Sequence, residues 1–277
     1  MFKSMNDTLP QAISRQNPAA PQQMKTLPHC QICRSQKQAE FSGAIVNDPA
    51  GSILLECPNC GYCQLYPMPE QDAISDNNED RYGDTTSGYF TKIDKKIHRA
   101  RGRVKQIKRF AEGGKFIDVG CSGGFMTEAA REAGFDASGI EPSANTIDWA
   151  QEHYPLNNFV CGTIEADHTA AGLMPQSFDV AYCSEVIEHV ADPNIFLSGI
   201  ARLLKRGGVL FLTTPDVGHF RRPRDINRWD VFTPPHHCAF FTRKAMGILL
   251  EQHGFRIIGR RPAFKPGIKV FARKIGG

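Results

Sequence analysis

Three groups of residues in this 277-residue chain have types and spacings that can do chemistry. The first is a double Cys-x-x-Cys, Cys30/Cys33 and Cys57/Cys60, with 23 residues between the pairs. Each pair turns tightly enough to offer two thiolates, and two pairs complete a tetrahedron around zinc. Such a site is closed, so its role is structural or recognitive. His29 and Cys63 stand close enough in sequence to remain open as substitute ligands. The second group is Asp118-Val-Gly120-Cys121-Ser122-Gly123-Gly124, an acid followed by bare backbone N–H groups at a helix start, where a charged small molecule docks. The third is Glu185-Val-Ile-Glu188-His189, joined from a later loop by His237. At i, i+3 and i+4 its acids and imidazole share one helical face. Together with His237 they can hold a divalent metal, magnesium included. Without a metal, His189 or His237, with His236 as a rival, can act as a general base.

The glycine turn discriminates among ligands by what it lacks. A dinucleotide turn reads Gly-x-Gly-x-x-Gly. Counted from Gly120, the second and third glycines would fall on Ser122 and Phe125. A P-loop needs Lys followed by Ser or Thr, and neither follows the glycines. What remains carries Asp118 two residues ahead of the first glycine, where it would repel a pyrophosphate and suit a cation. Glu141 falls 21 residues after Gly120, at the end of the next strand. An acid there accepts from both hydroxyls of a ribose, which signals an adenosine without saying which cofactor carries it.

These groups need elements to hold them. Residues 116–119 read as a buried strand, 120–124 as the turn and 125–133 as a helix. Strands follow at 137–140, 158–161, 178–183 and 209–213, separated by helices. Ser143 caps one helix, and Asp192-Pro193 opens another, with the acid as cap and proline in the first turn. Thr242 caps a last helix to 253, before strands at 255–260 and 269–274. The alternation gives an α/β, Rossmann-like doubly wound sheet over 111–277. The irregular stretch 216–241, with Trp229, Phe232 and arginines at 221, 222, 224 and 228, is long enough to be a substrate lid at the carboxyl edge.

Ahead of this domain, residues 1–28 are rich in Gln, Pro, Asn and Ala and lack an apolar targeting core, so they read as a disordered tail. Residues 29–69 form a small metal-stapled unit whose hairpin pairs 39–46 with 52–56. It resembles a zinc ribbon. Residues 70–110 join the two units. The part around Tyr82 and Tyr89 reads equally as a lid or as a solvated linker. Beyond it, apolar residues at 93, 97, 100, 104, 107 and 110 predict a helix.

Charge is unevenly placed. The net charge is +4, but residues 92–109 hold nine Lys/Arg and one acid, Asp94, leaving the remainder near −4. The basic helix reads first as a solvated face and second as a nucleic-acid grip, because no aromatics interleave the cations. No run of about 18 apolar residues predicts a membrane span. Nine cysteines without a secretory signal point to a reducing, cytoplasmic setting and to metal rather than disulfides.

The turn at 118–124, the stretch Phe178-Asp179…Glu185-x-x-Glu188-His189-Val190 and Leu204-x-x-Gly207-Gly208-x-Leu210 together resemble class I S-adenosylmethionine-dependent methyltransferases over about 115–273. The resemblance implies seven strands with the last antiparallel. It implies S-adenosylmethionine held by Asp118, Gly120, Cys121, Ser122, Gly123, Glu141 and Pro142, with Thr163, Ile164 and Cys183 bordering it. Glu-x-x-Glu-His with a later His237-x-x-x-x-Thr242-Arg243 is similar to the magnesium site of small-RNA 2′-O-methyltransferases, and some quinone-pathway O-methyltransferases share the acidic turn. Ribbon-bearing chains of this class occur among bacterial sugar and glycan methyltransferases. Three functions follow: O-methylation of a sugar, glycan precursor or other small polar metabolite; RNA methylation gripped by the ribbon and basic helix; or a non-catalytic ribbon module, which the intact Asp118, Gly120, Gly123 and Glu141 oppose. The catalytic residues implied are Glu188, His189 and His237.

Overall fold

The computed structural model describes residues 27–48, 51–71, 73–74, 90–261 and 264–276. All but the last two residues of the expected tail lie outside these, as do Tyr82 and Tyr89.

Seven strands form one sheet: β4 (Lys115–Val119), β5 (Asp136–Glu141), β6 (Asn158–Cys161), β7 (Phe178–Ser184), β8 (Leu204–Pro215), β10 (Phe255–Arg260) and β11 (Gly267–Lys274), in the order β10-β11-β8-β7-β4-β5-β6. Strands β6, β5, β4, β7 and β8 run parallel, while β11 is antiparallel to both its neighbours. The expected reversed last strand is therefore present, inserted between β8 and β10.

Alternation along the central strands sorts side chains between two layers. Phe116 of β4, Val180 and Tyr182 of β7 and Phe211 of β8 face one core, closed by α1 (Ile93–Ile107) and α2 (Phe125–Glu132). Ile117, Ala181, Cys183, Leu210 and Leu212 face the other, closed by α4 (Pro193–Leu203) and α5 (Arg243–Gln252). Both faces of the parallel strands are covered, which is why they read as near-continuous apolar runs. Burying a side chain such as Phe116 contributes roughly 1.5–3 kcal/mol. The predicted stripe of α1 is the buried one: Ile97, Ala100, Val104 and Ile107.

The caps behave as their residue types dictate. Ser143 accepts from Thr146 N at the start of α3 (Ala144–His153), Asp192 from Asn194 N and Ile195 N, and Thr242 from Ala245 N. One boundary differs from expectation: β8 begins at Leu204 rather than at 209. Leu204 pairs with Phe178 and Val209 with Val180, so residues 205–208 bulge outward opposite Asp179. Gly207 and Gly208 lie in that bulge, where Lys205 Nζ is 2.7 Å from Asp179 Oδ1.

The cysteine-bearing segment makes a second sheet, β1 (Ala39–Glu40), β2 (Ile53–Glu56) and β3 (Cys63–Tyr66), completed by β9 (Ala239–Phe240) from the 216–241 stretch. The hairpin expected over 39–46 is shorter, because Phe41 makes a last bond to Leu54 O and the chain then leaves the sheet. Among the described residues no helix is long and apolar enough to cross a membrane.

Candidate active site

The glycine turn is stitched to its neighbour strand, with Gly120 N and Cys121 N both donating to Ile140 O. Gly120 and Gly124 have φ of 72°, in the left-handed region, and Ser122 has φ of 45°. A Cβ on Gly120 would lie 2.4 Å from Val186 Cγ2, so only glycine lets the 184–189 turn close over this one. On the other flank a Cβ at Gly123 would meet Phe90 Cε1 at 2.7 Å. Phe90 joins Phe125 and Trp149 in an aromatic wall, with ring centroids 6.0 Å and 4.9 Å from its own.

Glu141, at the end of β5, reaches back to the turn. Its Oε2 accepts from Ser122 N at 3.0 Å and its Oε1 from Ser143 N at 3.4 Å. The carboxylate thus stands between the turn and the start of α3. Pro142 beside it is exposed. Thr163 is half-buried, whereas Ile164 and Cys183 bury their side chains in the core, so what they offer a ligand is backbone. Cys121 packs with Ile147, Ala150 and Phe159 beneath the turn.

Asp118 is 2% exposed, and its Oδ2 accepts from Thr127 Oγ1 at 3.0 Å. It reaches a ligand only through its field. Burial, followed by the charge of Glu141 and opposed by the Thr127 bond, pushes its carboxyl up to about 7. The folded protein therefore holds this proton better than the unfolded chain. The contribution is fully present below about pH 4 and is lost as pH rises to about 7, worth about 4 kcal/mol if it acts alone. We expect the ligand-free protein to lose stability to urea across that window, and Asp118→Asn to flatten the profile. Identical slopes in the two proteins would overturn the assignment.

Across Val186 from the glycine turn lies the second cluster. Residues 187–189 form a single 3-10 turn, and Glu185 precedes it with φ of 58°. That left-handed residue breaks the helical spacing expected from sequence. Glu185 accepts from Thr213 Oγ1 at 2.7 Å and stays close enough for its charge to act on Glu188, but it is not one of the clustered ligating groups. Glu188, His189 and His237 come together instead, their ligating atoms all within 4.8 Å of one another. His189 Nδ1 is 2.9 Å from His236 O, and His237 Nδ1 is 2.6 Å from Val231 O. A neutral imidazole bonded to a carbonyl through Nδ1 carries its lone pair on Nε2. The two rings stand edge to face with centroids 4.5 Å apart.

Glu188 is fully buried, and its Oε2 accepts from Thr214 Oγ1 at 3.0 Å while Oε1 has no hydrogen-bond partner. Burial first, and then the charge of Glu185, hold its carboxyl well above the usual carboxylate range. Two imidazoles and one carboxylate form an oxygen-poor set. Magnesium, which favours octahedral oxygen, does not suit it. The neutral acid and the paired rings suit a hydroxyl instead, for which an orphaned buried oxygen is a ready partner.

The four cysteines of the double motif gather as well. Sγ–Sγ distances are 3.6 Å for Cys30–Cys60 and 3.5 Å for Cys33–Cys57, and all four sulfurs lie within 4.8 Å of one another. Thiolates 2.3 Å from a tetrahedral zinc sit about 3.8 Å apart, so the cluster fits that ion. The sulfurs are too far apart for a disulfide, and all the described cysteines are free. Without a cation the thiols conflict. The Cys60 bond lowers Cys30 to about 5, while Cys60 is driven up. A divalent ion removes that conflict. Asn59 Nδ2 donates to Cys33 Sγ at 3.2 Å, and Gly61, with φ of 72°, closes the second knuckle. His29 is exposed and Cys63 is buried elsewhere, and neither belongs to the cluster.

Sequence reasoning missed Val186, Phe90 and the threonines 127, 213 and 214. Their only signal was polar residues in otherwise apolar runs and an aromatic beside Tyr89.

A mixed sheet in the order 3-2-1-4-5-7-6 with its last strand reversed, a glycine turn after its first strand and an acid ending its second, defines the class I methyltransferase architecture. Residues 87–259 match the methyltransferase-domain family, and the chain belongs to it as an S-adenosylmethionine-dependent enzyme. The ubiquinone biosynthesis O-methyltransferase of Methylococcus capsulatus is 40% identical over 144 residues, 42% of this chain and 61% of that one. The chain thus spans less than two thirds of that curated relative. In fold it is similar to the Burkholderia thailandensis 1,6-didemethyltoxoflavin-N1-methyltransferase, with a TM-score of 0.56 and 15% identity over 84% of this chain and all of the other. A Thermotoga maritima methyltransferase gives 0.53 and 19% over 73% of this chain and 99% of its own.

Proposed function

We propose that this enzyme methylates a hydroxyl oxygen, held and deprotonated by Glu188, His189 and His237. The observation that carries the reading is the contact of the two turns: Val186 lies directly over Gly120, so the acid–imidazole cluster adjoins the cofactor cradle. Solved structures of this fold include an enzyme named for a nitrogen acceptor, so the fold does not choose the atom. The cluster does. A hydroxyl must lose its proton as it attacks, and a base within hydrogen-bond reach supplies that step.

S-adenosylmethionine, held by Glu141 and the 120–124 turn, supplies an electrophilic methyl group when bound. The chain does the rest. Glu188 Oε1 fixes the acceptor oxygen, an imidazole Nε2 takes its proton, and Val186 with the aromatic wall of Phe90, Phe125 and Trp149 keeps water out. The acceptor class that fits is a small polar metabolite such as a sugar or glycan precursor. The likeness over 144 residues to an O-methyltransferase of ubiquinone biosynthesis supports an oxygen acceptor and makes a quinone-type acceptor the second reading.

RNA is the weaker partner. Arg101 is paired with Glu132, Arg103 donates to the Tyr182 hydroxyl, Lys108 donates to Ala133 O and Lys96 lies over Phe125. Much of the basic helix is thus engaged within the fold. A tritiated-methyl screen over sugar nucleotides, phenols and short RNAs is the test. We expect label on oxygen of a small acceptor; label on nitrogen, carbon or RNA alone would defeat the reading.

A further inference from the structure

The four-cysteine site lies outside the family-matched region, yet its knuckles grip the segments that carry the acid–imidazole cluster. Gln31, between Cys30 and Cys33, donates from Nε2 to Ala191 O at 3.2 Å, and Asn194 Nδ2 donates to Gln31 O at 3.1 Å. Both partners lie just beyond His189. From the other knuckle, Cys60 O accepts from Thr242 Oγ1 at 2.6 Å, and Asn59 O accepts from Lys244. Those partners lie just beyond His237.

Just beyond the second knuckle, β3 pairs with β9. Leu65 N donates to Cys238 O at 3.0 Å, and Cys238 N donates to Glu188 O at 2.9 Å. A backbone path therefore runs from the cysteine sheet through the residue after His237 to Glu188 itself. Cys30, Ile32, Cys57, Cys60 and Tyr62 are buried in the same core as Phe241 and Ile187. The glycine turn takes no part in this network, because its own amides bond to Ile140 O.

We propose that the metal-loaded cysteine site is a positioning site for Glu188 and His237, setting the acceptor side of the active site while leaving the cofactor side alone. The assignment of the cluster to the acceptor rests on the function proposed above; the mechanical coupling does not. Two short knuckles in a segment this small hold their shape only around an ion. Releasing it frees the two strands that align the acid with the imidazoles, and a misplacement of about 1 Å at a reacting group costs about 100-fold in rate.

The test uses the full chain, its metal content measured, then stripped by chelation and restored with zinc or cobalt. Cobalt should give the visible bands of a tetrahedral thiolate site. On stripping, we expect methyl transfer to fall about 10- to 100-fold and return with metal, while S-adenosylmethionine affinity by calorimetry stays within about threefold. Amide exchange should quicken at Leu65 and Cys238 and stay unchanged at Gly120 and Cys121. Gln31→Ala, which spares the thiolates, should keep its metal and lose about two- to tenfold in kcat, the cost of one hydrogen bond.

A protein that binds no metal, exchange that does not change at Cys238, or cofactor affinity that collapses together with activity would each overturn the positioning role. Faster exchange at Cys238 with undiminished transfer would uphold the coupling and remove the cluster from the acceptor site.

Discussion

Replacing His237 by alanine should lower kcat by roughly 10²- to 10⁴-fold, the range associated with a positioned general base, and leave S-adenosylmethionine affinity within about twofold. The expected separation follows from the layout. His237 enters from the stretch after β8, is bonded through Nδ1 to Val231 O, and meets His189 edge to face. Asparagine makes the sharper probe, since its amide can keep the bond to Val231 O while removing the Nε2 lone pair. His237→Asn as impaired as His237→Ala, with partial recovery on adding free imidazole, identifies a proton acceptor. If asparagine restores the rate, His237 only holds the loop. His189→Ala should behave like His237→Ala, and the double variant should cost little more than either alone, because groups acting as a unit are not additive.

The sheet was legible from sequence because parallel strands covered on both faces must be apolar throughout, and because Ser143, Asp192 and Thr242 are residue types that cap helices. The turn after the first strand of the main sheet was legible for a related reason: Gly120 adopts a left-handed φ that few other residue types accept. The acceptor side was only half legible. Periodicity placed Glu185 on a face with Glu188 and His189, and no periodicity announces that residue 185 adopts φ of 58°. The left-handed turn rotates its carboxylate toward Thr213, 28 residues along the chain but one strand away. Asp118 was readable as an acid beside a cation site, yet its burial against Thr127 was not. Docking of the cysteine sheet through β9 was invisible too, since a two-residue strand in an irregular loop carries no pattern of its own. What sequence loses are the contacts made by single residues across long separations.

Glu141→Ala should weaken S-adenosylmethionine binding by about 100-fold while kcat at saturating cofactor changes little. Glu141 is half-buried at the mouth of the cradle, and its two oxygens diverge toward Ser122 N and Ser143 N. A charged acceptor of this kind contributes roughly 1.5–3 kcal/mol for each hydrogen bond it makes. Two ribose hydroxyls would draw on both oxygens, but each bond replaces a contact already made to a backbone N–H. The net loss is therefore nearer the sum of the two lower values, about 3 kcal/mol, which corresponds to a factor of about 150. The cost should fall on binding because the ribose is remote from the methyl group and changes little as the methyl moves; such uniform binding alters KM and not kcat. Glu141→Gln keeps the side chain's length but offers one acceptor and one donor in place of two charged acceptors, so it should recover only part of the loss. Calorimetry with S-adenosylhomocysteine, which shares the ribose and lacks the sulfonium charge, should report the same factor. A change of less than about threefold with both ligands would place the ribose elsewhere. A penalty seen only with the sulfonium form would mean that Glu141 acts through charge rather than through the hydroxyls.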